Sequence, residues 1–279
     1  MYNKLITRPL INSPIISSTN FRRTTIPTAS IQDLSIGIPL NIFSNIYTNL
    51  HYGYDILTPK LIILQFLLGY YSYGFDRFKD ALEYKYSNDT SIYPNKKIEL
   101  YNNILKDINQ QYLFLISSLV GSVYLLAIDD YNVTHLPFLF ILYLASTYKE
   151  YKTKLSTYKP LYISLLWTIT SVIMPSVLHD NNYNILLDIE DYIPCILFIF
   201  SASNFADIND IEEDRKLNVQ TIPVKYGKQV TAYISFAAVA IASIILVENP
   251  NFENRFWINT ILESQHVGLM YFIYNSTKF

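Results

Sequence analysis

Uncharged windows recur along this chain, and that repetition constrains its fold more than any other feature. They cover residues 34–54, 61–75, 108–128, 131–148, 160–178, 192–206 and 229–247, and a weaker window at 256–274 is interrupted by Glu263. About 20 apolar residues cross a bilayer as a helix, so most windows can span one, and the two of 15 residues are marginal. Only 16% of the chain is charged, against about 25% in soluble domains. A large soluble helical protein is the competing reading, and the repetition weighs against it. The expectation is an all-α, polytopic transmembrane helical bundle of about eight spans.

Carboxylates stand where two of these windows end. Asp76 and Asp80 follow window 61–75, and Asp207, Asp210 and Asp214 follow window 192–206. Ionised groups beside hydrocarbon are costly unless paired or bound to a cation. Letting the chain alternate sides from window 61–75 onward puts segments 76–110, 148–159 and 207–228 on one face. Both aspartate groups therefore share a face. These three segments carry fourteen of the twenty-one lysines and arginines, from Arg77 and Lys79 to Lys225 and Lys228, whereas segments 129–131 and 179–191 carry none. By the positive-inside rule the basic face is cytoplasmic, or stromal or matrix in an organelle.

Asp76 and Asp80 are four apart, and Asp207, Asp210 and Asp214 are spaced by three and four, so each group forms one stripe on a helix that continues out of its span. Like charges so placed repel. A hard divalent cation removes the repulsion, and Mg²⁺ is commonly held by one or two carboxylates together with substrate phosphate oxygens. Basic side chains on the same face are suited to the remaining phosphate charge. The five aspartates are the candidate metal ligands and catalytic residues. Arg77, Lys149, Lys152, Lys154, Arg215 and Lys216 are candidates for diphosphate contact, with Asn204 in support.

Other chemistries find little footing. His51, His135, His179 and His266 are scattered without ligand spacing, Cys195 is the single cysteine, and the seven glycines form no phosphate-cradling loop. No basic stripe points to nucleic acid. Residues 1–33 carry Lys4, Arg8, Arg22 and Arg23, and no acid before Asp33. That composition suits an organelle (plastid-like) targeting segment and equally a basic tail beside a membrane, with residues 34–279 as the transmembrane domain.

The second motif, DINDIEEDRKLNVQTIPVKYG, resembles the second aspartate-rich signature of UbiA-type intramembrane prenyltransferases, which runs roughly Asp-x-x-Asp-x-Glu-Gly-Asp-Arg, then Thr-Leu-Pro and a closing Gly. Asp76 and Asp80 resemble the last two positions of that family's Asn-x-x-x-Asp-x-x-x-Asp. The loop YKEYKTKLSTYK falls where the family places a basic loop between its fourth and fifth spans. The resemblance covers about residues 35–275. Departures are Ser72 for the expected asparagine, Glu213 where glycine is common, a segment 81–94 without the usual Lys-Pro or Arg-Pro run, and about eight spans against nine. The resemblance implies Mg²⁺-dependent transfer of a prenyl group from a prenyl diphosphate to a lipophilic or aromatic acceptor, or one like chlorophyllide, among membrane lipids. A related intramembrane terpene cyclase and a catalytically degenerate homologue stay open as alternatives. A divalent-cation transporter would place its carboxylates near the midplane, not at one face.

Overall fold

In a computed structural model, residues 35–52, 56–87, 93, 95–128, 133–180 and 189–249 are described. The N-terminal segment 1–33 and the window 256–274 lie outside these residues. The described elements are all helical: α1 (Gly37–Tyr52), α2 (Pro59–Tyr86), α3 (Asn95–Lys106), α4 (Ile108–Val123), α5 (Leu139–Leu155), α6 (Lys159–Thr168), α7 (Met174–His179), α8 (Ile189–Asn209), α9 (Ile211–Lys216) and α10 (Ile222–Glu248). Short π turns extend α4 and join α6 to α7. The fold is an all-α bundle, as expected.

Among the described residues, three stretches are both long and apolar enough to cross a membrane: Ile108–Ala127, Leu139–His179 and Ile222–Glu248. The second holds two of the expected windows, because the chain folds back within it. Ser156 takes φ 50° and ψ −123° at the end of α5, and α6 returns beside it. The Tyr162 hydroxyl donates to the Leu144 carbonyl at 3.1 Å, and the Tyr148 and Tyr162 rings stack at 5.9 Å. The windows 61–75 and 192–206 belong to longer helices of mixed composition. Leu61 N–H donates to the N-cap Thr58 hydroxyl at 3.2 Å, Pro59 fixes the first turn, and α2 then runs for 28 residues, carrying Asp76 and Asp80 beyond its apolar part.

The helix α8 packs between α6 and α10, and α2 packs against α1, α3, α4 and α5. On α10 the buried residues Thr231, Ser235, Ala238 and Ala242 recur at helical spacing, and their small size lets two helix backbones approach. Larger apolar residues of α4 and α10, including Leu113, Val120, Ile241 and Ile244, face outward. An apolar outer surface of this kind is what lipid solvates.

The α1–α2 crossing is closest at Gly37 and Gly69. A Cβ on Gly37 would lie 2.8 Å from the Phe66 Cα, and one on Gly69 would lie 3.3 Å from the Gly37 nitrogen. The neighbour at Gly37 is backbone, so it cannot rotate away. Gly37→Ala is expected to destabilise the protein by about 1–3 kcal/mol through overpacking. Thermal unfolding in detergent measures this, and an unchanged Tm would contradict the close crossing.

Candidate active site

A cavity of about 610 Å³ opens among α1, α2, α3, α5, α6, α8 and α9, and its two ends differ in chemistry. One end is apolar and aromatic, with Leu40, Phe43, Leu68, Ile141, Leu166, Trp167 and Ile199 on its walls. The Trp167 indole N–H donates to the Tyr73 hydroxyl at 3.0 Å, and the Phe43 ring meets Trp167 edge-on at 6.2 Å. The other end carries Asp76, Arg77, Asp80, Lys97, Tyr101, Lys152, Lys159, Asp207, Asp210 and Glu213. The two aspartate groups, 127 or more residues apart in the chain, thus meet at one end of one cavity.

Lysines neutralise most of these carboxylates. Lys159 Nζ lies 2.5 Å from Asp207 Oδ1 and 3.9 Å from Asp214 Oδ2. Lys152 Nζ lies 3.3 Å from Asp214 Oδ1, and Lys149 pairs with Asp80 and, at 2.5 Å, with Glu83. Lys97 Nζ sits 2.5 Å from Glu213 Oε2 and 3.8 Å from Asp210 Oδ1. Burial alone would lower the Lys152 ammonium, but Asp214, Asp80 and Asp76 outweigh it and raise its pKa. Lys152 therefore feels both aspartate groups at once. For Lys149, Asp80 and Glu83 likewise overcome the effect of burial.

Asp76 is the exception. Among the described residues it has no ion pair within 4 Å, and burial, then repulsion from Asp80, pushes its carboxyl up to about 6 despite Lys152, Lys149 and Lys159. Burial also raises Asp207, against the pull of Lys159.

The second aspartate group is not one continuous stripe. Helix α8 ends at Asn209, and Asp210, with φ −101° and ψ 7°, becomes the N-cap of α9. Its N–H donates three residues back to the Asp207 carbonyl at 3.2 Å. Asp207 and Asp210 face the cavity, whereas Asp214 is buried just behind it, 3.4 Å from the donating Thr221 hydroxyl. Arg77 and Lys152 line the cavity, and Lys149 stands beside it on Asp80. Lys154 is exposed near the Tyr151 ring, Arg215 is exposed on Glu212 at 2.9 Å, and Lys216 is exposed. None of these three lines the cavity. Asn204 is fully buried away from the cavity lining, with neither amide atom hydrogen-bonded.

Lys97, Lys159, Glu213 and Tyr101 belong to the site but were not among the sequence candidates. Lys159 carries a readable signal: a lysine at the first turn of a helix opposes the helix dipole, which demands a carboxylate partner.

Among the described residues no three histidine, cysteine or acidic side chains gather as a ready metal-ligand set. Buried oxygens are nonetheless left over. Asp207 Oδ2 and Asp214 Oδ1 accept no hydrogen bond, although Lys152 lies in ion-pair range of the latter. With Asp76 they are hard oxygen donors short of partners, which fits a cation that arrives with phosphate oxygens of its own.

No family model matches the chain, and no curated protein does. A solved structure of digeranylgeranylglyceryl phosphate synthase, a protein of membranes, is similar at 20% identity over 78% of this chain and 75% of that one, with a TM-score of 0.48.

Two outcomes are expected in the ligand-free protein. Lys159→Met leaves Asp207 buried without its partner and costs about 3–5 kcal/mol, read as a drop in Tm. Asp76, with a folded pKa above its unfolded value near 3.8, favours folding fully below that value and loses this contribution as pH rises through about 6. Asp76→Asn therefore unfolds at a higher temperature than wild type at pH 7.5, and the difference closes towards pH 4. A difference that does not change with pH would contradict the burial of Asp76.

Proposed function

We propose that the chain transfers a prenyl group from a prenyl diphosphate to a lipophilic acceptor within the membrane, with Mg²⁺ held by the aspartate groups. The observation that carries this reading is the shape of the charge in the cavity. A dense array of carboxylates and lysines closes one end, and an aromatic, apolar chamber continues from it. A molecule with a diphosphate head and an isoprenoid tail matches both ends at once. The volume of about 610 Å³ lies within the usual range for small-molecule sites. The resemblance of the two aspartate motifs to the UbiA-type pattern supports the same reading.

Asp76, Asp80, Asp207, Asp210 and Asp214 would hold the metal, with Asp76 and the unpartnered oxygens of Asp207 and Asp214 foremost. Mg²⁺ bound there supplies positive charge that stabilises the departing diphosphate. Lys152, Lys159 and Arg77 lie on the cavity wall, where their cations can pass from carboxylate to phosphate oxygens. Phe43, Tyr73 and Trp167 present aromatic surface to the tail end, which suits an allylic carbon gaining positive charge as its C–O bond breaks. The apolar walls keep water from that carbon. The acceptor's prenylated carbon is expected to be electron-rich, as in an aromatic ring.

Purified protein in detergent, given Mg²⁺, radiolabelled C10–C20 prenyl diphosphates and a panel of aromatic and porphyrin acceptors, is expected to form a prenylated product. Diphosphate release without an acceptor would instead mark internal capture of the cation, as in a cyclase. Asp76→Asn removes a metal ligand from a fold it does not destabilise, and it is expected to lower turnover at least about a hundredfold. Full activity in that variant would overturn the assignment.

A further inference from the structure

Glu213 is where the second motif departs in charge from the pattern it resembles, and it is not a surface residue. Its side chain is 9% exposed, lines the cavity, and receives Lys97 Nζ at 2.5 Å. Lys97 lies on α3, one helical turn before Tyr101, so the two share a face. The Tyr101 hydroxyl lies 3.5 Å from Asp80 Oδ2, and its ring packs on Tyr84 and Tyr93 at 5.7 and 5.6 Å. Helix α3 is therefore tied to α2 by Tyr101 and to α9 by Lys97. Between these ties Lys97, Leu100 and Tyr101 form part of the wall at the charged end of the cavity.

We propose that Lys97 and Glu213 are positioning residues. Their ion pair clasps α3 across the charged end, keeps Tyr101 against Asp80, and excludes bulk water from the reacting carbon. The catalytic part of this inference rests on the prenyl-transfer reading. With the clasp broken, water competes with the acceptor. The C1–O bond breaks with its electron pair leaving on diphosphate, the water oxygen bonds to C1, its proton passes to solvent, and a prenyl alcohol results.

The test uses two readouts. The first needs no substrate: Ser72 lines the cavity and Cys195, the only native cysteine, is buried, so Ser72→Cys reports access of a negatively charged methanethiosulfonate. Adding Glu213→Gln or Lys97→Met is expected to speed labelling about tenfold, as loss of one charge-assisted hydrogen bond would. Lys97→Arg keeps labelling slow, and the Lys97→Met/Glu213→Gln pair labels no faster than either alone, because the two act as a unit. Unchanged labelling in the single variants, or effects that add in the pair, would overturn the clasp. The second readout is prenyl alcohol formed from a C20 prenyl diphosphate with Mg²⁺, without the Ser72 change. Its share of turned-over substrate rises in Glu213→Gln and returns to the wild-type value in Lys97→Arg. An unchanged share alongside faster labelling would refute the positioning role. No turnover in any variant, with labelling responding as described, would refute the prenyl-transfer reading and leave the clasp standing.

Discussion

The charged end of the cavity depends on one buried contact, the Lys159–Asp207 ion pair, whose side chains are 8% and 4% exposed. Each partner is costly to bury alone. Asp207 stands at the end of an apolar run, and Lys159 stands at the start of α6, where the helix dipole opposes a cation. Together they cancel. The pair fixes α6 to α8 at the level where both leave the apolar part of the bundle. Immediately beyond it α8 gives way to α9, and that turn carries Asp214 back within 3.9 Å of the same lysine.

Around this contact opposite charges interleave, with acids in excess. Among the described residues Asp76, Asp80, Glu83, Asp207, Asp210, Glu213 and Asp214 contribute seven acids, and Arg77, Lys97, Lys149, Lys152 and Lys159 contribute five cations. Such an array holds together empty and still has capacity for a ligand that brings both signs. On the proposed reading, phosphate oxygens would draw on the lysines and leave carboxylates for a metal. The uneven member is Asp76, which faces the cavity without an ion pair among the described residues and is correspondingly reluctant to ionise.

Much of this was legible in the residues. Uncharged windows mark helices, and counting sides between them brings Asp76 and Asp207 to one face, where the structure has them. Periodicity carried less information where backbone geometry intervenes. The fold-back at Ser156 lies inside the charged segment 149–159, so the two apolar windows on either side of it return beside one another. The helix breaks at Asp210, which takes the N-cap position of α9 without a side-chain capping bond. Asn204, three residues before Asp207, was expected on the same face. Three residues turn a helix by about 300°, and the remaining offset of about 60° moves the side chain from the cavity wall into the packed interior. Lys97 was invisible as a site residue because its place depends on how α3 docks. That docking is set by a shared core in which Tyr101 and Ile104 of α3 cluster with Tyr70, Phe78 and Ala81 of α2 and Leu115 of α4, which no local pattern encodes.

The departures from the resembled pattern read differently once partners are known. Glu213 in place of a glycine adds a negative charge to an already acidic turn, which in isolation would weaken the site. Lys97 cancels that charge from another helix and, being 3.8 Å from Asp210, also relieves the repulsion between the two acids. Glu213 is thus half of a charge pair whose other half lies 116 residues earlier. A motif compared position by position registers the first half as a defect. Compared as a charge balance within one cavity, the same residue is part of the wall that closes it.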